Sequence, residues 1–245
     1  MDPIEMIFSR LGEKFSAILE EHGLTEEMIS VSAQPLTPEE AIGNPEDDDY
    51  PILKGKERMM EARFRDARGH AFTDMYGTWN GSISEVVRME LANNFRRAVF
   101  VATMNAVLRH LGLIDKTVHC KDDGPVRCAE ECLQMVRREG PSPRIALIGH
   151  QPRMLGQLGE HFEVSVVDMD KDNIGKQVAG VTVFGPERTE EIVENADILL
   201  VTGTTLANGT IGSFLGRKEK TIFYGVTIAG AAQLLGLRRF CPFGL

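Results

Sequence analysis

Apolar positions recur along the chain at two periods, and the change from one to the other divides it. In the first stretch Ile4, Ile7, Phe8, Leu11, Phe15, Ile18 and Leu19 fall on one face at helical spacing. Asp2 can cap that helix, Pro3 sits where a missing N–H costs nothing, and Gly23 ends it. Alternation at 29–33 predicts a strand, and Thr37-Pro38-Glu39-Glu40 carries a capping box for a short helix. The acidic, turn-rich segment 43–50 predicts a solvated loop. Apolar and charged residues alternate at 59–64, and 68–73 ends in Ala-Phe-Thr, which predicts two further strands. Ser82 and Glu85 form a second capping box, opening a helix that runs to Leu91. Residues 95–111 are apolar nearly all round, which predicts a buried helix stopped by Gly112. A polar stretch at 115–124 leads to another helix over 126–138. Strands followed by a run of helices describe an α+β domain over 1–139.

Gly140-Pro141-Ser142-Pro143 cannot continue a helix and marks a boundary. Beyond it the apolar residues come in short continuous runs, at 145–148, 164–167, 181–184, 198–201 and 221–224. Helical patterns fill the intervals at 153–161, 187–194, 211–215 and 228–235. Strands apolar on both faces and alternating with helices predict an α/β fold, a five-stranded Rossmann-like parallel sheet over 144–245.

Composition narrows the function. Hydrophobic residues make up 42% and charged residues 26%, a globular balance that excludes a disordered chain. With 27 Lys and Arg against 36 Asp and Glu the net charge is −9, the wrong sign for a nucleic-acid binder. No apolar run reaches the roughly 18 residues that span a bilayer, so no membrane partner is expected. The opening Met-Asp-Pro runs straight into an amphipathic pattern, unlike a signal peptide, and four cysteines do not suggest a secreted disulfide scaffold. A cytoplasmic location is the expectation. The sequence is silent on oligomeric state, and a homo-oligomer stays open.

Ligands of a doubly wound sheet bind beyond the carboxyl ends of its strands. After the first strand, Gly149 permits a tight turn and Pro152 can open a helix whose N-terminus favours an anion. Only one glycine of the dinucleotide fingerprint is present, so an ordinary NAD site is weakly supported. Asp168 lies 19 residues beyond Gly149, close to where a ribose-binding carboxylate stands, and S-adenosylmethionine enzymes use that position with looser first turns. The plain alternative is a solvated strand end. The stretch 202–210, Thr-Gly-Thr-Thr-Leu-Ala-Asn-Gly-Thr, offers hydroxyls, an amide and backbone N–H groups to an oxygen-rich ligand. In the first half, Cys128 and Cys132 share a helix face, and His119 or Cys120 could join them in a soft metal site. Their spacing matches no zinc finger or ribbon, and buried cysteines commonly serve as small core residues. Asn105, on an apolar helix, must find a hydrogen-bond partner.

Taken together, Gly149 to Pro152, the 202–210 stretch and Tyr224-Gly225-Val226 resemble the Rossmann-like heavy-metal chelation family of unknown function. Gly55-Lys56-Glu57, Gly69-His70-Ala71-Phe72-Thr73-Asp74, Asn105-Ala106 and Thr117 to Lys121 resemble its first domain, which has an enolase N-terminal-like fold. The resemblance implies a site between the domains, and roles in heavy-metal handling or in flavin, pterin or siderophore-like metabolism. On it, Gly149, Pro152, Asp168, Thr204, Thr205 and Asn208 would line the site, with Lys121 or Asp74 reaching across. A transition-metal ion would arrive with the ligand, nearest His119 and Cys120. No nucleophile or base stands out. An S-adenosylmethionine-type methyltransferase and a non-catalytic metal or small-molecule binding module are the alternatives.

Overall fold

The computed structural model describes residues 3–32, 38–43 and 58–245. The caps expected of Asp2 and Thr37, most of the 43–50 loop, and Gly55-Lys56-Glu57 lie outside the described residues. Helix α1 (Pro3–Glu21) precedes strand β1 (Met28–Ser32) and a short helix α2 (Pro38–Ile42). Strands β2 (Arg58–Phe64), β3 (Ala67–Thr73) and β4 (Thr78–Ser82) follow. Together they form a four-stranded sheet in the order β3-β2-β1-β4, with every pair antiparallel. β4 was not apparent in the chain because Thr-Trp-Asn-Gly-Ser is an edge strand with little apolar alternation.

The Ser82–Glu85 capping box forms as expected and starts α3 (Ile83–Val87). That helix ends four residues before Leu91. Asn93 caps the next one, α4 (Asn94–His110), by accepting from the Arg96 N–H at 2.9 Å. Arg96 and Arg97 then reach back to the Glu90 and Leu91 carbonyls, which holds the intervening segment out of helical conformation. Gly112 ends α4 with φ +68°. The close fit of α4 on β3 depends on Gly69, where a Cβ would stand 2.3 Å from the Ala106 nitrogen and 2.4 Å from the Ala102 oxygen.

Helix α5 (Gly124–Glu139) leads into the second sheet: β5 (Ile145–Ile148), α6 (Pro152–Gly159), β6 (Val164–Val167), β7 (Gln177–Val178) and β8 (Val181–Phe184). Then come α7 (Thr189–Asn195), β9 (Ile198–Thr202), α8 (Thr204–Ala207), α9 (Gly212–Leu215), β10 (Thr221–Tyr224), α10 (Ala229–Leu235) and β11 (Arg239–Phe240). All five predicted strands are present and mutually parallel, but the sheet has seven, in the order β11-β10-β9-β5-β6-β8-β7. β11 extends it in parallel. β7 is antiparallel, which the five-stranded expectation did not include. It is the outer arm of a hairpin whose two turn residues, Ala179 and Gly180, both have positive φ, the geometry of a type I′ turn. Numbering the six parallel strands by chain position gives 3-2-1-4-5-6, the dinucleotide-fold order.

Alternate residues of the central strands feed two cores. Ile145, Leu147, Val164, Val166, Ile198 and Leu200 pack with Ala129, Cys132, Leu133 and Val136 of α5 and with Leu155 and Leu158 of α6. Helix α5, placed by sequence ahead of the boundary, thus lies on the second sheet. Ala146, Ile148, Leu199 and Val201 face the other way, into one cluster with Phe100, Met104 and Leu108 of α4 and Phe8 and Leu11 of α1. The first half therefore covers one face of the second sheet, as a parallel sheet requires.

Candidate functional site

The strand order sets a topological switch point between β5 and β9, where neighbouring connections leave in opposite directions. Gly149 ends β5 with φ +92° and Thr202-Gly203 ends β9. They meet closely: a Cβ at Gly149 would stand 2.7 Å from Thr202 Cγ2 and 3.0 Å from the Tyr224 hydroxyl. Tyr224, at the end of β10, donates to the carbonyls of Ile148 (3.2 Å) and Gly149 (3.0 Å) and so ties a third strand end to the turn. Gly203 is held just as tightly, 2.8 Å from a built Cβ to the Ile228 nitrogen.

The polar residues picked from the sequence surround this point, and most serve the turns themselves. Both Asp168 oxygens accept backbone N–H bonds, from His150 at 2.6 Å and from Asp170 at 2.7 Å. Pro152 is the buried first residue of α6 and supplies no donor, while Gln151 caps the helix by accepting from the Met154 N–H. The 202–210 stretch forms one helical turn, and its four threonine hydroxyls are engaged inside it. Thr205 donates to the Thr202 carbonyl at 2.7 Å, Thr202 to Thr204 at 3.2 Å, and Thr210 to the Asn208 side chain at 2.8 Å. The Asn208 amide reaches the Met169 sulfur at 3.6 Å, bridging the ends of β9 and β6. Gly149, Asp168, Thr202 and Asn208 keep partial exposure around this bridge, whereas Thr204 and Thr205 are buried.

From the first half, Lys121 is exposed, and Asp74 accepts from Asn94 at 2.6 Å. Asn94 bonds Arg97, whose Nε donates to the Ala207 carbonyl at 2.9 Å. The cation that reaches the threonine loop is therefore Arg97, at the first turn of α4. Its partner is 110 residues away, and no local pattern announces it. Asn105 is the second residue that sequence reasoning left without a role at the seam. Fully buried, it donates to the His70, Val226 and Thr227 carbonyls at 3.0, 3.2 and 3.2 Å and accepts from the Gly230 N–H at 2.8 Å. With the Phe72 N–H on the Thr227 hydroxyl at 3.0 Å, it pins β3 and α4 to the turn after β10. Packed side chains fill the seam there. It opens to the side, in a groove of about 660 Å³ lined by residues of both halves, among them Asp115, Lys116, Gln233 and Arg239.

His119 and Cys120 face different neighbours. The His119 ring stands edge-on to Phe72, and its Nδ1 lies 2.6 Å from the Cys120 carbonyl, so that nitrogen carries the proton. Burial lowers its pKa to about 4. The Cys120 thiol instead lies against Gly124. Next to His119, His70 accepts the His119 N–H on Nδ1 (3.2 Å) and contacts Glu61 through Nε2 (2.9 Å), which makes it the Nε2–H tautomer. Protonation would point a second donor at the His119 N–H. Burial also lowers the His70 pKa, against the pull of Glu61. Burial raises the Glu61 pKa, but hydrogen bonds from His70 and Arg63 outweigh that and bring it to about 2.

An open α/β sheet in dinucleotide-fold order, roofed by an α+β half, defines the class: a Rossmann-like two-part protein. Residues 131–236 match the model of the DUF364 family, described as "Putative heavy-metal chelation". Two crystal structures of proteins of unknown function from that family are similar. One, from Pyrococcus horikoshii, overlays with TM-score 0.57 at 17% identity, covering 90% of this chain and 79% of that one. The other, from Desulfitobacterium hafniense DCB-2, gives TM-score 0.48 at 12% identity, covering 73% and 72%. The first shares the fold of this chain. Among curated proteins none matches the chain. Among the described residues no helix is long and apolar enough to cross a membrane.

Proposed function

We propose that this chain binds a small anionic, metal-chelating metabolite at the carboxyl edge of the seven-stranded sheet, and so takes part in handling heavy metals. The observation that carries this is the placement of Gly149 and the 202–210 stretch on either side of the switch point, where open α/β sheets hold their ligands. Asn208 and the strand-end turns offer polar groups around it, and Arg97 brings positive charge beneath the loop of an otherwise acidic chain. The family description supports the metal side of the reading. Four free cysteines fit a cytoplasmic setting. A methyltransferase reading would use Asp168 for a ribose; its two oxygens each accept one backbone N–H and keep further lone pairs.

The test is a thermal-shift and calorimetric screen with nucleotides, S-adenosylmethionine, pterins, hydroxamate chelators and divalent metals. The expected result is stabilisation by an anionic chelator, weakened at least tenfold by Asn208→Ala and by Thr204→Val in folded variants. A shift with S-adenosylmethionine alone would replace this reading with the methyltransferase. Chelator binding indifferent to both substitutions would move the site elsewhere.

A further inference from the structure

A half-buried guanidinium stands in the groove beside the seam, bonded to backbone alone. The chain leaves α4 at Gly112 and turns again at Lys116, whose φ of +54° is uncommon for a residue with a Cβ. That turn presents two carbonyls to Arg239, which donates from Nη1 to Asp115 at 3.2 Å and from Nη2 to Lys116 at 2.5 Å. Its Nε donates to the Gly225 carbonyl at 3.2 Å. Neutral acceptors from both halves of the chain thus fix the guanidinium in position, and one N–H on each terminal nitrogen is left over. Among the described residues no carboxylate pairs with Arg239 or with the Lys116 ammonium. Both line the groove of about 660 Å³, a size at which small-molecule sites occur. Asp115, exposed at its edge, is the acidic residue of the lining, so the lining carries one net positive charge on a chain of net charge −9. Leu113, exposed, and Phe240, half-buried, add apolar surface, and Gln233 of α10 adds an exposed amide.

We propose that this groove binds a small organic monoanion, an acidic group on an apolar body of ring size. The acidic group meets the remaining N–H groups of Arg239 and the Lys116 ammonium, and the body lies along Leu113 and Phe240. The three carbonyls satisfy hydrogen bonds of the guanidinium but leave its charge in place, and an anion adds charge-assisted bonds that neutral acceptors do not. Because Arg239 is already held, little side-chain freedom is lost when the ligand arrives. The charge count selects the class: one net positive lining charge matches a monoanion, whereas the second charge of a dianion faces Asp115 without compensation. Asp115 and Gln233 remain for hydroxyl or amide groups of the ligand. Strand β10 stands between β11, which supplies Arg239 and Phe240, and the switch-point pair β9 and β5. The groove is therefore a second site, independent of the chelator reading.

The experiment is fluorescence titration of the full chain with anilinonaphthalene sulfonate, an aromatic monoanion, beside uncharged phenylnaphthylamine. The expected result is saturable binding of the sulfonate, with the uncharged analogue at least tenfold weaker. Gln233→Glu sets a second carboxylate on the groove wall, and Lys116→Gln removes a cation; each weakens the sulfonate at least tenfold. Both substitutions leave the Arg239 bonds in place, since those are made to backbone carbonyls, and native circular dichroism shows that the variants are folded. Two further variants locate the probe: Lys218→Gln, in the groove that α1 and α9 line, and Asn208→Ala, at the switch point; both keep wild-type affinity. A wild-type chain without saturable binding overturns the proposal, as does an uncharged analogue that binds equally well. So does wild-type affinity in either Gln233→Glu or Lys116→Gln, or a loss of binding in Lys218→Gln or Asn208→Ala.

Discussion

Two buried polar constellations hold the first half of this protein, and they differ in kind. Asn105 is a neutral amide on an apolar helix, with three carbonyls and one N–H around it, drawn from both halves of the chain. Glu61 is a carboxylate in β2, held by His70, Arg63 and Arg68, all within the first sheet. The amide carries no charge, so its bonds persist at any pH and its work is to join two sheets. The carboxylate cluster stabilises only while Glu61 is ionised, and it joins neighbouring strands alone. A neutral pin suits a permanent seam, and a charged one makes local stability conditional on pH.

The sharpest way to break this contrast is at Gly69, beside the amide. In Gly69→Val the new side chain meets the backbone of Ala102 and Ala106, which no rotamer change relieves, and α4 must lift from β3. The expected outcome is loss of soluble folded protein, read by expression yield and near-ultraviolet circular dichroism. A folded Gly69→Val would mean that the seam has slack.

Asn105→Leu comes next. It takes the amide oxygen from the Gly230 N–H and one donor each from the carbonyls of His70, Val226 and Thr227, of which Val226 keeps the Ala229 N–H, at a cost of about 3 kcal/mol in urea unfolding. Two separate unfolding transitions would show that the amide is what makes the halves one unit. A loss under about 1 kcal/mol would remove Asn105 from its role as the pin.

The smallest effect at neutral pH belongs to Glu61→Gln, and its signature lies in acid. The folded pKa of Glu61, about 2, lies below the ordinary 4.5, so the contribution is complete above pH 4.5 and is lost as pH falls toward 2. Wild-type stability should decline through that window, and Glu61→Gln should flatten the decline by the share this group carries. Equal acid slopes in both proteins would show that Glu61 is not the conditional element.

Several parts of the molecule are legible in the chain because they rest on neighbouring residues. The strands of the second sheet announce themselves as continuous apolar runs because both of their faces are buried, and the Ser82–Glu85 box reads directly because its hydrogen bonds span three residues. The hairpin arm β7 escaped because two residues carry no period, and Ala-Gly is not the usual sign of a type I′ turn. In the candidate site, the glycine turn and the threonine stretch were recognisable by type. That the hydroxyls are turned inward depends on a helical turn forming at 204–207, which the composition of the stretch does not dictate.

By itself, then, the sequence determined the parallel sheet, its buried helix α4, the acidic surface and the glycine turns, all of which follow from local period and composition. Only tertiary structure decided which partner each polar group found. Arg97 meets a carbonyl 110 residues away, and Asn105 meets an N–H 125 residues away. The physical reason is that a side chain's hydrogen-bonding capacity is written in its type, whereas its partner is set by strand order and by which helix face the core buries.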